Sequence, residues 1–165
     1  MGYEKVVAVV MGSDSDMAVM SSCVEQLKVF GINPVVRIIS AHRTPDIAAD
    51  FAKNAASNGI KVVIAAAGMA AHLAGAMAAG TNLPVIGVPL AASGSPAGID
   101  ALLSTVQMPP GVPVASMAIG KAGAKNAAVF ALQILSLSDE SLAKKLAEFK
   151  AAQRKTVIEK DNNIQ

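Results

Sequence analysis

Short, continuously apolar runs, separated by segments of helix length and each ending in a cluster of Gly, Ser, Asp or Pro, predict an α/β fold. The expected architecture is a three-layer sandwich with a parallel, doubly wound sheet and a C-terminal helix. Composition supports one compact domain over 1–165: 53% of the residues are hydrophobic and only 16% charged, so the chain can bury a large core. With no Trp, one Tyr and four Phe, that core must be built from Ala, Val, Ile, Leu and Met.

Lys5 to Val10 reads as the first strand, running into Gly12-Ser13-Asp14-Ser15-Asp16, a turn with helix-capping chemistry. A helix follows to about Phe30 and stops at Gly31. Asn33-Pro34 opens a second strand, Val35 to Ile39. Ser40 to Asp46 forms the next loop, with Thr44 a helix N-cap and Pro45 the first helical residue of a helix to about Ser57, ended by Asn58-Gly59. Val62 to Ala66 is the third strand, Ala70 to Ala79 a helix, and Val85 to Val88 the fourth strand. After the loop Ala92 to Gly98 come a short helix, Ile99 to Val106, and a last strand, Pro113 to Met117. Helices Gly120 to Leu135 and Ser138 to about Glu159 close the chain. This alternation predicts a flavodoxin-like or Rossmann-like sheet, whose ligand sites lie beyond the C-terminal strand ends. The loops 12–16, 40–46 and 67–73 should therefore converge on one crevice.

Charge is distributed unevenly. Fourteen Lys and Arg against twelve Asp and Glu leave a formal +2, too little and too dispersed for a nucleic-acid footprint. Val62 to Gly120 contains one charged residue, Asp100. Val62 to Gly80 has roughly the length of a membrane span, but Ala and Gly supply little transfer free energy, and His72 interrupts it, so no membrane association is expected. So much uncharged Ala and Gly surface predicts a homo-oligomer, with the helix 138–160 packing on a neighbouring subunit. A lone Cys23 offers no disulfide, and the N-terminus lacks the apolar core of a signal peptide, which together predict a cytoplasmic protein.

The polar chemistry sits in the three loops. Taken alone, 12–16 reads first as helix capping; as a ligand loop its serines and acids suit ribose hydroxyls better than phosphate. Ser40-Ala41-His42-Arg43-Thr44-Pro45 is more informative. Arg43 can clamp a phosphate or carboxylate beside a helix start, and imidazole at His42 can move a proton near neutral pH. His72, with no acid nearby in sequence, reads by itself as a structural histidine. Two histidines thirty positions apart, without Cys or carboxylate at ligand spacing, give a metal little support, and Gly68 to Gly75 lacks the spacing of a nucleotide fingerprint. Cys23 and the eight Met read as packing, Gly111, Gly120 and Gly123 as loop shapers, and Lys121 and Lys125 as solvent-facing.

In combination, Val10-Met-Gly-Ser-Asp-Ser-Asp16, Ser40-Ala-His-Arg-Thr-Pro45, Ala70-Ala-His-Leu73, Thr105 to Pro109 and Ala118 to Ala127 resemble the class I N5-carboxyaminoimidazole ribonucleotide mutases, the PurE family of purine biosynthesis. Two departures stand out: Met69 and Ala74 replace a family Gly and Pro, and the loop 91–98 is one residue longer. The resemblance implies an isomerase that moves a carboxyl group from an exocyclic amine to ring carbon four of an aminoimidazole ribonucleotide, without cofactor. It implies His42 as general acid and base. Ser13, Ser15, Asp16, Ser40, Arg43, Gly68 and His72 are implied as substrate-binding residues, within an octamer whose dry pocket retains CO2. The alternatives are a carboxylase that takes CO2 directly and a nucleotide-binding module without turnover.

Overall fold

The computed structural model describes residues 4–92 and 96–164, which group into two compact units, Met1–Ala131 and Leu132–Gln165. The first unit holds a five-stranded parallel sheet in the order β2-β1-β3-β4-β5. Its strands are β1 (Glu4–Met11), β2 (Asn33–Ile38), β3 (Val62–Gly68), β4 (Val85–Leu90) and β5 (Ala115–Ser116). Between them run α1 (Met17–Val29), α2 (Pro45–Asn54), α3 (Leu73–Gly80) and α4 (Ile99–Val106). This is the flavodoxin-like order, in which the chain reverses its winding between β1 and β3.

Continuous apolarity in β3 and β4 has a direct cause. Val62 to Ala66 and all of β4 are buried, so neither face of these central strands meets water. On one face Ala8, Val10, Val63, Ala65 and Val85 pack with Ala48 and Ala52 of α2 and Leu73, Ala74 and Met77 of α3. Small residues let the helices close in: a Cβ on Gly80 would stand 2.7 Å from that of Ala52. The alternate residues Val7, Val9, Met11, Ile64 and Ile86 are buried on the other face. Cys23 is fully buried in α1, and burial pushes its thiol up to about 12, as befits a packing residue. The charge-poor middle of the chain thus includes the two fully covered central strands. Among the described residues no helix is long and apolar enough to cross a membrane.

Several boundaries differ from the sequence expectation. Helix α2 ends at Asn54 rather than near Ser57, because Asn54 Nδ2 turns back to the Asp50 carbonyl at 3.0 Å and Ser57 Oγ donates to the Asn54 carbonyl at 2.8 Å. Helix α3 starts at Leu73, not Ala70, and residues 69–72 remain in the loop. The expected strand 113–117 shrinks to Ala115–Ser116, an edge strand paired on one side only. Gly123 lies inside α5 (Lys121–Ser136) rather than in a loop, where a Cβ would run into the Ala118 carbonyl. Gly111 and Gly120 do take left-handed backbone, at φ 91° and 75°. Within the loop 91–98, read from the sequence as one residue longer than the family's, residues 93–95 lie outside the described residues.

The second unit contains the end of α5 and α6 (Glu140–Asn162), and its Leu132, Leu135, Leu142 and Leu146 are buried. Helix α6 starts at Glu140 rather than Ser138, and Asp139 caps it, its carboxylate accepting from the Leu142 N–H at 3.0 Å.

Gly87 is the tightest point of the sheet. A Cβ there would press on the Thr105 methyl, stand 2.9 Å from Val114 and 3.3 Å from the Ala74 Cβ. Gly87→Ala is expected to cost about 1–3 kcal/mol of stability, read from the urea midpoint.

Candidate active site

The parallel ladders bring three loops to one edge. Met11 pairs with Ile38 and with Ala66, and beyond these pairs Ile39 N–H donates to the Met11 carbonyl at 2.9 Å and Gly12 N–H to the Ala66 carbonyl at 3.3 Å. The loops after β1, β2 and β3 therefore leave the sheet side by side at its switch point. Between them lies an open cavity of about 410 Å³, within the range of small-molecule sites. Ser13, Ser15, Asp16, Ser40, His42, Arg43, Gly68 and His72 all line it. The eight residues that the family resemblance implies for the site thus reach the same space. The wall between them is apolar, from Ala41, Ala67, Met69, Ala70, Leu73 and Ala92, residues with no chemistry of their own to mark them in the sequence.

The first loop is held by its own side chains. Asp16 Oδ2 accepts from the Ser13 N–H at 3.0 Å, and Ser13 Oγ accepts from the Ser15 N–H at 3.4 Å and lies 3.0 Å from Ser15 Oγ. Capping and cavity lining are therefore the same arrangement. Burial pushes the Asp16 carboxyl above the usual range; the N–H groups of Ser13 and Gly12 oppose this, and the neighbouring Asp14 charge adds to it.

The second loop is tied across its base. Thr44 precedes α2, as expected, and its carbonyl accepts from the Ala48 N–H at 3.0 Å. Its hydroxyl does not cap the helix, however. Thr44 Oγ1 accepts from the Ser40 N–H at 3.1 Å and donates to the Ser40 carbonyl at 2.9 Å. Ser40 Oγ accepts from the Arg43 N–H at 3.2 Å. These bonds present His42 and Arg43 outward, both exposed in the single chain, and among the described residues Arg43 makes no ion pair. Its guanidinium, with no ion-pair partner among the described residues, suits an anion.

In the third loop, Gly68 is needed for packing: a Cβ would stand 3.1 Å from the Leu90 carbonyl and 3.2 Å from the Ala92 Cβ. Next to it Met69 takes left-handed backbone, φ 54°, and the residue is 62% exposed at the cavity. His72 then ends the loop, and its ring meets His42: Nε2 of His42 lies 2.8 Å from Nδ1 of His72. No spacing rule in the sequence announces this contact.

Fold and site together define an α/β enzyme that handles a small molecule at the switch point of its sheet. A family model described as AIR carboxylase matches residues 6–156. A Brucella melitensis protein named N5-carboxyaminoimidazole ribonucleotide mutase is 52% identical over 157 residues, 95% of this chain and 96% of that one. A Bacillus subtilis protein of the same name is 48% identical over 161 residues, 98% and 99% of the two chains. The crystal structure of Treponema denticola PurE superposes with a TM-score of 0.85 at 30% identity, covering 96% of this chain and 98% of that one. The chain belongs to the AIR carboxylase, or PurE, family.

Left-handed backbone costs a side-chain-bearing residue about 1–2 kcal/mol, partly offset for glycine by its greater freedom when unfolded. Met69→Gly is therefore expected to raise stability by up to about 1 kcal/mol in urea unfolding.

Proposed function

We propose that this chain catalyses the N5-carboxyaminoimidazole ribonucleotide mutase reaction, an intramolecular carboxyl transfer on the route to purines. The observation that carries the reading is the convergence of His42, Arg43, Ser13 and Asp16 on one cavity, in a chain about half identical to proteins of that name. Arg43 holds the 5'-phosphate, for which a guanidinium beside the start of α2 is suited. Asp16 and the serines 13, 15 and 40 accept and donate to ribose hydroxyls, and Gly68 and His72 complete the wall.

His42 gives its proton to the exocyclic nitrogen, the bond from that nitrogen to the carboxyl carbon breaks, and CO2 is released. The electron-rich ring carbon four then bonds to CO2, and its hydrogen returns to His42 as a proton. One proton leaves and one comes back, so product and substrate are isomers and the imidazole is regenerated. The apolar wall of Ala41, Ala67, Ala70 and Leu73 suits uncharged CO2.

The enzyme works in the cytoplasm as a homo-oligomer, an octamer in the reading the family resemblance supports, with 138–160 against a neighbouring subunit. Helix α4 supports self-association: Ile99, Leu103 and Val106, at helical spacing on its outer side, are about half exposed in the single chain. A second copy of the chain is their natural cover.

His42→Asn is expected to bind substrate normally while losing at least 10²-fold in kcat, measured by calorimetry and product absorbance. In the same assay with labelled bicarbonate, label should stay out of the product during turnover of the carbamate; free entry of label would assign the chain to the carboxylases that take CO2 directly. For the assembly, Leu103→Lys is expected to shift the mass measured by light scattering to a smaller species.

A further inference from the structure

His42 and His72 are joined by ring nitrogens 2.8 Å apart, with the ring planes at 82° and the centroids 4.9 Å apart. At that distance one hydrogen must lie between them, since two N–H groups or two lone pairs would repel. A neutral imidazole has one of each, so the hydrogen can be placed in two ways. Either His42 donates from Nε2 to the Nδ1 lone pair of His72, or His72 donates from Nδ1 to the Nε2 lone pair of His42.

Protonation of His42 separates the two. As an imidazolium it carries hydrogens on both nitrogens, and Nε2 must then donate. The first placement passes through this change with His72 untouched. The second breaks, because two N–H groups would face each other until His72 changed tautomer or swung away. A group that gives and retakes a proton visits both states in every turnover, so only the first placement leaves the pair undisturbed.

We infer that His72 is a positioning residue: held as the Nε2–H tautomer, it accepts the Nε2 hydrogen of His42 throughout the cycle and leaves Nδ1 of His42 as the nitrogen that exchanges protons with substrate. The inference rests on His42 being the proton carrier. The proton on Nδ1 goes to the exocyclic nitrogen, the proton from ring carbon four returns to Nδ1, and the hydrogen on Nε2 never leaves. The backbone suits His72 to the task. It sits at the start of α3, its N–H donating to the Ala70 carbonyl at 2.8 Å and its carbonyl accepting from the Ala76 N–H at 2.9 Å, so the accepting ring is anchored to a helix while His42 stands in a loop.

Two substitutions and one spectrum test this. The amide of Asn reaches the place of Nδ1 and can still accept, whereas Leu fills the space without an acceptor. His72→Leu is expected to lower kcat roughly 10- to 100-fold with little change in KM, a share of what general acid–base catalysis contributes. His72→Asn should recover most of that loss. In the wild-type enzyme with ¹⁵N-labelled histidine, neutral His42 should show hydrogen on Nε2 and a bare Nδ1. Equal losses for Leu and Asn, or a neutral His42 carrying its hydrogen on Nδ1, would overturn the assignment in an enzyme that remains an active mutase. A wild-type enzyme unable to convert the carbamate would instead remove the mutase reading and the assignment with it.

Discussion

Parallel pairing of β1 with both β2 and β3 is the constraint on which the site depends. Because the three strands run the same way, with β1 and β2 ending at Met11 and Ile38 level with Ala66, two residues before the end of β3, their loops leave from one edge. The connections from β1 and β3 lead away in opposite directions across the sheet, and a crevice opens where they part. Residues thirty positions apart, His42 and His72, come within hydrogen-bonding distance for this reason. No other element of the first unit has to be unusual for the polar groups to meet.

Much of this was legible because particular residues punctuate the chain. Gly31 stops α1, where its φ of 87° continues into the turn, and Pro45 begins α2, each for a local backbone reason. Ile99 to Val106 forms α4 with the expected bounds. The misjudged boundaries have causes that propensity does not weigh. Ala70 and Ala71 favour a helix, yet the loop after β3 places Ala70 on the cavity wall and buries Ala71 before α3 begins. Asn54 and Ser57 have side chains that compete for backbone groups and end α2 early. Pro113 to Met117 is apolar enough for a strand, but only β4 is there to pair with it.

In the site, the chemical groups were readable and their relations were not. Ser13, Asp16, His42 and Arg43 carry their chemistry in their side-chain types, and each follows a strand. The contact between two imidazoles depends on strand order, and the left-handed turn at Met69 sits where neither Gly nor Asn marks it. Thr44 is intermediate: its place before the helix was plain, while its use as a tie on Ser40 follows only from the loop's path.

The bonds that close the first two loops, Asp16 onto Ser13 and Thr44 onto Ser40, form within each loop, between residues three and four positions apart. A visiting molecule consequently meets groups whose freedom was surrendered when the chain folded. Little further ordering is demanded at the moment of encounter, so contact energy is left for holding the guest rather than for assembling its host.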